Sequence, residues 1–338
     1  MSLKHVGKQS VALANPPSIA GHACIVGEKE GQGPIKDSFD YVSSDMRFGQ
    51  NSWEKGESEM VRRALELAIG KSGKQQEEIE YLFGGDLLNQ CIGTTFGVRD
   101  MNIPLFGIYG ACSTMAEGLS LAAMMIDGGF ADTTAAVTSS HFCTSERQYR
   151  FPVEYGGQRP LTAQWTVTGS GAVILTSEGP GPYITHITTG KIVDPGIKDA
   201  NNMGAAMAPA AYETLRMHFA DLSLRPSDYD LIVTGDLGQV GSSIVLDFFK
   251  RDGIELMPNY DDCGLMIFSR EKQDVHAGGS GCGCSASVLC GYLLNGMRAG
   301  RWNKILFAGT GAMLSTTSSQ QKESIPSICH AVSISNTR

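Results

Sequence analysis

Apolar runs rich in β-branched residues alternate along the chain with segments of helical periodicity. Residues 54–70 predict an amphipathic helix whose apolar face is formed by Met60, Ala64, Leu67 and Ala68. A second helix is predicted at 208–219, and short apolar runs predict strands at 79–83, 135–139, 172–176, 231–234 and 305–308. Strands that alternate with helices indicate βαβ units around a largely parallel buried sheet, so the fold class is predicted to be α/β.

The second half of the chain repeats the order of features in the first half. Residues 78–87 match residues 228–237 as a strand followed by a Gly-Asp-Leu turn, and the Cys112-Ser113 pair matches Cys284-Ser285 ahead of a helix. This shared order indicates a duplicated half-domain. The breaker-rich segment 178–182 predicts a boundary between an N-terminal half at 1–178 and a C-terminal half at 179–338. Packing the halves about a pseudo-dyad would bring both cysteine turns to a common centre.

Cys112 lies in a Gly-Ala-Cys-Ser turn that follows an apolar strand and opens a small-residue helix ending at Gly128. The free N–H groups at the start of a helix favour the thiolate, which is the nucleophilic form of cysteine. The alternative is a small buried cysteine at a close helix–sheet contact. The local pattern is compatible with both interpretations.

Composition excludes several classes of protein. The chain has 338 residues, a net charge of −8 and no stripe of basic residues, which argues against a nucleic-acid partner. No apolar stretch reaches the length of a membrane span, and the N-terminal residues contain no apolar signal-peptide core. The nine cysteines are scattered, which indicates reduced thiols and not a disulfide framework.

Several segments carry a resemblance to known families. The turn at 111–113, the glycine turn and strand at 168–175 and the segment 308–312 resemble the thiolase and ketoacyl synthase superfamily. Longer segments are similar to the stage V sporulation protein AD family of spore-forming bacteria, namely 85–90, 109–114, 138–141, 146–148, 154–158, 207–211, 261–264 and 278–282. The resemblance covers about residues 18–335 and implies duplicated halves in a layered α-β-α-β-α sandwich. It also implies a homodimer that binds dipicolinic acid (pyridine-2,6-dicarboxylate) and supports its uptake into the developing spore, together with membrane proteins of the same system.

The superfamily's chemistry needs a base and oxyanion donors beside the nucleophile, and two loops of the second half supply them as histidine or asparagine. Here the first loop offers Asp236, and the second offers Ser280 and Cys282. A carboxylate near Cys112 would raise the pKa of its thiol. We therefore expect a vestigial nucleophile, no catalytic residue and no cofactor, in a pocket that has kept its shape.

The insertion at 139–164 supplies candidate contacts for a flat dianion. Arginine clamps carboxylates bidentately, so Arg147 and Arg150 are the leading candidates, with His141 and Tyr149 in support. The alternative for the arginines is ordinary ion pairing at an interface, and for the strand-end aspartates it is capping of a turn. The predicted ligand-binding set is Asp86, Cys112, His141, Arg147, Tyr149, Arg150, Asp236, Ser280 and Cys282.

No ligand spacing identifies a metal site, and Cys282-Gly283-Cys284 lacks the partners of a zinc site. If dipicolinate binds as its calcium chelate, the aspartates become candidate oxygen ligands for the calcium ion. Three functions remain open at this stage. They are a dipicolinate-binding protein at the periphery of the spore inner membrane, an acyltransferase or condensing enzyme with Cys112 as nucleophile and His141 as an unconventional base, and a scaffold for membrane partners.

Overall fold

The computed structural model describes residues 4–149 and 158–338. The first half begins with short strands β1 (His5–Val6) and β2 (Ser10–Ala12). Its other strands are β3 (Ser18–Gly27), β4 (Tyr41–Ser43), β5 (Tyr81–Asp86), β6 (Leu105–Gly107), β7 (Thr133–Ser140), β8 (Trp165–Thr166) and β9 (Gly169–Thr176). Its helices are α1 (Trp53–Ser72), α2 (Ile92–Val98), α3 (Thr114–Asp127) and α4 (Phe142–Tyr149).

The second half has the same alternation of strands and helices. Its strands are β10 (Tyr183–Thr188), β11 (Leu231–Thr234), β12 (Tyr260–Asp262), β13 (Gly279–Ser280), β14 (Lys304–Ala312) and β15 (Ser327–Ser335). Its helices are α5 (Met203–Leu222), α6 (Gly238–Arg251), α7 (Cys263–Met266), α8 (Cys282–Ser287), α9 (Leu294–Arg298) and α10 (Thr316–Gln320), and a π-helical segment (Val288–Leu293) joins α8 to α9.

Two sets of five strands share one topology. The first set is ordered β6-β5-β7-β9-β3 and the second β12-β11-β14-β15-β10, and β3 meets β10 through one antiparallel pair. In each set the last strand in the chain runs antiparallel to both neighbours, while the other pairs are parallel. The α/β class and the duplication are confirmed, but the sheet is mixed and not largely parallel. Residues 177–182 connect β9 with β10, and the predicted division at residue 178 within this connection stays a prediction.

The helices and strands form five layers, with three large apolar cores packed between them. Helices α1 and α2 cover one face of the first strand set, and α5 and α6 cover one face of the second. Helices α3 and α8 lie between the two sets, where a core formed by residues of both halves surrounds them. This arrangement is the predicted α-β-α-β-α sandwich, and it places the start of α3 at the centre of the molecule.

Helix α1 shows how the periodicity translates into burial. Met60, Ala64 and Ala68 are buried against the first strand set, as predicted, whereas Leu67 is 40% exposed and does not belong to the buried face. Ser52 caps the helix by accepting a hydrogen bond from the Lys55 amide, and Gly73 ends it in a left-handed conformation. Among the described residues, no helix combines the length and apolar character needed to cross a bilayer.

Close packing of the central layer requires glycine at one position of β9. A Cβ atom at Gly171 would lie 2.6 Å from the carbonyl oxygen of Ala286 in α8. We predict that Gly171→Ala lowers the free energy of unfolding by about 1–3 kcal/mol, because backbone atoms must shift to admit the methyl group. Chemical denaturation followed by circular dichroism measures the change.

The matched control is Gly70→Ala in α1, where a new Cβ would meet nothing within 4 Å. Because alanine favours the helix over glycine, this variant should gain up to about 1 kcal/mol. Equal effects at both positions would contradict the packing argument.

Candidate functional site

A cleft of about 650 Å³, including its open mouth, lies at the junction of the two halves. Helix α4, strand β8 and the turn before α3 contribute from the first half, and residues near α5, β13 and β14 contribute from the second. The lining consists of Leu87, Tyr109, Ala111, Cys112, Ser145, Glu146, Tyr149, Ala163, Gln164, Thr166, Ala200, Asn201, Met203, Ser280, Ala312 and Leu314. No lysine, arginine or histidine belongs to this lining within residues 4–149 and 158–338.

Cys112 lies in a 3-10 turn (Ala111–Ser113) immediately before α3. Ala111 has a φ of 50°, so the backbone enters the turn through the left-handed region. Strand β14 of the other half passes so closely that a Cβ at Gly311 would lie 2.3 Å from the Gly110 carbonyl oxygen. The thiol is therefore held at the contact between the halves, with 5% of the residue exposed.

Asp236 follows β11 and is completely buried beside Cys112. One carboxylate oxygen accepts hydrogen bonds from the Gly281 amide at 2.8 Å and the Ser280 hydroxyl at 3.1 Å, and the other accepts one from the Thr310 hydroxyl at 2.8 Å. Burial raises the pKa of Asp236, and these hydrogen bonds oppose that shift. The structure thus brings Asp236 to the position expected from its loop.

The pKa of the Cys112 thiol is raised well above its usual value. Burial is the largest cause, and the negative charge of Asp236 is the next. Together these two effects outweigh the tendency of the helix N-terminus to favour the thiolate. The sequence pattern alone was compatible with either form of Cys112. At neutral pH the cleft therefore presents a protonated thiol.

Cys282 opens α8 and packs against Cys112, Leu87 and Ala111. The turn at Cys112 therefore meets the start of α8 through Cys282, whereas Cys284, the residue matched with Cys112 from the sequence, lies in the central core. The Cys282 thiol is fully buried and donates to the Ser139 carbonyl oxygen at 2.9 Å, whereas Ser280 reaches the cleft surface.

His141 is placed away from the cleft lining. It is fully buried, one ring nitrogen lies 2.7 Å from the Met46 carbonyl oxygen, and the other accepts the Cys143 amide at 3.1 Å. Burial lowers the pKa of His141. Because both nitrogens are engaged elsewhere, the structure does not bring this imidazole to Cys112, either as a ligand contact or as a base.

The arginine clamp expected from the insertion is not formed by Arg147. Its guanidinium pairs with Glu54 and lies 5.5 Å from the Trp53 ring centroid, with about half of the side chain exposed. Arg147 therefore makes the ordinary ion pair that was the alternative to a ligand clamp. Its side chain leaves α4 on the face opposite the cleft-lining Ser145 and Tyr149. Arg150 lies outside the described residues.

Tyr149 does line the cleft. Its hydroxyl donates to the Leu87 carbonyl oxygen at 2.6 Å and lies 3.3 Å from the hydroxyl of Tyr109. Tyr109, which the sequence reasoning missed, lies two residues beyond β6, and both rings flank the same opening. Aromatic rings at these positions suit a flat ligand.

Asp86 ends β5 but does not line the cleft. Its carboxylate oxygens accept the Leu88 amide at 2.9 Å and the Thr94 amide at 2.7 Å, which is the turn-capping alternative. Glu57 of α1 was missed, although a signal existed, since it falls three residues before Met60 on the apolar face of the helix. Both carboxyls are fully buried.

Gln164 and Asn201 were also missed, because neither belongs to a motif. Gln164 donates to the carbonyl oxygens of Asp236 at 2.8 Å and Gly279 at 2.6 Å, which ties the insertion to the second half.

The described part of the chain contains no group of three histidine, cysteine or carboxylate side chains that would hold a metal ion.

Comparison with known proteins gives concordant results. The profile of the family described as stage V sporulation protein AD matches residues 7–335. The stage V sporulation protein AD of Bacillus subtilis (strain 168) is 45% identical over 331 residues, which cover 98% of this chain and 97% of that protein.

Solved structures with the thiolase-like fold are similar as well. The 3-oxoacyl-[acyl-carrier-protein] synthase III of Aquifex aeolicus VF5 matches with a TM-score of 0.56 at 12% identity, over 94% of this chain and 99% of that one. Cerulenin-bound OleA of Xanthomonas campestris matches with a TM-score of 0.60 at 15% identity, over 95% and 96%. At these identities the likeness establishes the fold alone.

The raised pKa of the Cys112 thiol predicts that this cysteine reacts slowly with alkylating reagents. We predict that iodoacetamide alkylates Cys112 at pH 7.5 at least about tenfold more slowly than a free cysteine peptide, because little thiolate is present. The rate should rise with pH without an inflection below pH 8, and Asp236→Asn should accelerate it by removing the neighbouring charge. Peptide mass mapping over time measures the rate, with the half-buried Cys143 as the internal reference.

Rapid alkylation of Cys112 at neutral pH would contradict this assignment. It would show that the thiol is activated as a nucleophile despite its burial.

Proposed function

The chain belongs to the stage V sporulation protein AD family, and we propose that it binds dipicolinic acid in the Cys112 cleft and supports its uptake into the developing spore. The observation that carries the proposal is the buried contact of Cys112 with Asp236. A condensing enzyme needs a base that creates the thiolate, and this carboxylate suppresses it. The cleft therefore supports binding better than covalent catalysis.

The lining of the cleft fits a small planar molecule. Tyr109 and Tyr149 offer ring faces, while Asn201, Ser145 and Thr166 offer hydrogen-bonding groups. Such a lining can hold a pyridine ring and the carboxyl groups on either side of it.

The charge of the lining favours the calcium chelate over the free dianion. No basic side chain belongs to the lining in the described ranges, and the nearby Asp236 is acidic. Transferring an uncompensated dianion there would be costly, whereas the charges of calcium and two carboxylates cancel. Calcium also prefers oxygen ligands, which Ser145 and Asn201 carry. We therefore propose that the chelate is the bound form.

The proposal includes a homodimer and membrane partners. Strand β6 is the outer strand of the first set, and Phe106 on it is 49% exposed. An exposed apolar edge strand is a ready site for pairing with a second copy. With that arrangement the protein would associate peripherally with membrane proteins of the same uptake system at the spore inner membrane.

Calorimetry with purified protein tests ligand binding. We predict that dipicolinate binds with a dissociation constant of millimolar or tighter, and that Ca²⁺ tightens the binding. Ala200→Trp should weaken binding by at least about tenfold, since an indole at this lining position occupies the space of the ligand.

Two control variants separate the cleft from the rest of the surface. Leu161→Trp adds the same side chain at a position that is 83% exposed and outside the lining, and it should leave the affinity unchanged. Arg147→Ala should do the same, because its guanidinium pairs with Glu54. Absence of binding by the wild-type chain, with and without Ca²⁺, would overturn the proposal and favour the scaffold function.

The second candidate function is acyl transfer, and the exposure of Cys112 to the cleft is the observation in its favour. We predict no adduct after incubation with acyl-thioesters, because the protonated thiol lacks a base. Intact-mass analysis measures the outcome, and Cys112→Ser is the control. A stable acyl group on Cys112 that is absent from the control would establish the alternative.

A further inference from the structure

Two buried carboxyl groups lie near each other behind the wall of the cleft. Glu57 of α1 and Asp86 at the end of β5 are both fully buried. Gly93 of α2 lies between them, where a Cβ atom would be 3.1 Å from the Asp86 carboxyl carbon and 3.2 Å from Glu57 Cγ. A side chain at this position would require Asp86 or Glu57 to shift by a few tenths of an ångström.

The groups that surround the pair are polar but carry no positive charge. Glu57 accepts hydrogen bonds from the Ser139 hydroxyl at 3.0 Å and the Thr144 hydroxyl at 2.8 Å. Asp86 accepts two backbone amides, as described above. The other titratable groups that sense the pair are the thiols of Cys91 on the α2 side and Cys282 on the α8 side.

The nearest arginine on α4 is engaged elsewhere. Arg147 pairs at the surface with Glu54, one turn before Glu57 in α1. Arg147 is not among the main causes of the pKa shifts of Glu57 and Asp86. Two ionised carboxylates at this site would therefore have no counter-charge among the described residues.

The pair is connected to the cleft through α4. Thr144, whose hydroxyl binds Glu57, belongs to the same helix as the cleft-lining Ser145, Glu146 and Tyr149. The hydroxyl of Ser139, at the end of β7, makes the second contact. The position of one cleft wall thus depends on the contact of α4 with a buried carboxyl.

We propose that Glu57 stays protonated beside Asp86 and that both act as positioning residues, which keep α4 docked and the cleft in its binding shape while that proton is bound. The consequence for ligand affinity rests on the proposed function, whereas the docking of α4 does not. The proton removes one of two like charges from the pair, and its loss would leave a buried dianion beneath the helix.

The direction of the pH dependence follows from burial. Burial, and secondarily the charge of Asp86, raises the pKa of Glu57 to about 8, although the hydrogen bonds from Thr144 and Ser139 oppose the shift. Undocking of α4 would hydrate the carboxyl and lower its pKa toward the ordinary value. The proton therefore binds more tightly when α4 is docked, so docking is favoured below pH 8 and weakens as the pH rises through that value.

Hydrogen exchange tests the docking of α4 without any ligand. After correction for the intrinsic pH dependence of exchange, protection of the amides in 142–149 should fall roughly tenfold from pH 7 to pH 9 in the wild-type chain. Glu57→Gln mimics the protonated side chain and should keep its protection constant over this range. Glu66→Gln, on the exposed face of the same helix, is the matched control and should retain the wild-type profile.

Calorimetry provides the second arm with calcium dipicolinate, whose carboxyls stay ionised over the same range. Wild-type affinity should fall roughly tenfold from pH 7 to pH 9, and Glu57→Gln should bind equally at both values. A merely structural role would weaken the variant at every pH and leave the profile unchanged, which would overturn the proposal. Protection that does not change between pH 7 and pH 9 in the wild-type chain would also overturn it. If the wild-type chain binds no ligand, the proposed function fails, and the exchange experiment still decides this inference.

Discussion

The contact between Cys112 and Asp236 is the constraint on which the chemistry of this protein depends. A thiol at the start of a central helix would ordinarily gain thiolate character from the helix dipole. Here burial and an adjacent carboxylate act in the opposite direction, and they are stronger because the low polarity of the surroundings increases the cost of a second negative charge. The same position in the fold that suits a nucleophile thus holds a neutral side chain.

The duplication explains why these groups meet. Each half directs the end of its second strand toward the centre of the sandwich, so Asp86 and Asp236 occupy related places. Their surroundings have nevertheless diverged. Asp236 is fixed by two hydroxyls and an amide of its own half and lies beside Cys112, whereas Asp86 caps a turn and lies near Glu57. One ancestral position has therefore become part of the cleft, and the other part of the support of its wall.

The sequence predicted the position of a site residue best where that residue lies in a turn directly after a strand. The positions of Cys112 and Asp236 followed from the turns after their strands, whereas Ser280 followed from the resemblance, and the same strand-end argument was wrong for Asp86. The role of Arg147 did not follow, since the face that α4 presents to the cleft is set by its packing on α1 and not by local pattern. Glu57 was recognisable in principle as a polar residue on an apolar helical face.

A shortage of positive charge is common to the surroundings of the Cys112 thiol and of the buried Glu57–Asp86 pair. Within the described residues, neither the cleft lining nor the surroundings of Glu57 and Asp86 contain a basic side chain. Negative charge in such a region is tolerated only when a proton or a cation accompanies it. The Cys112 thiol therefore keeps its proton. The chain retains a thiolase-like fold, but the electrostatics of this cleft oppose the thiolate that condensation requires.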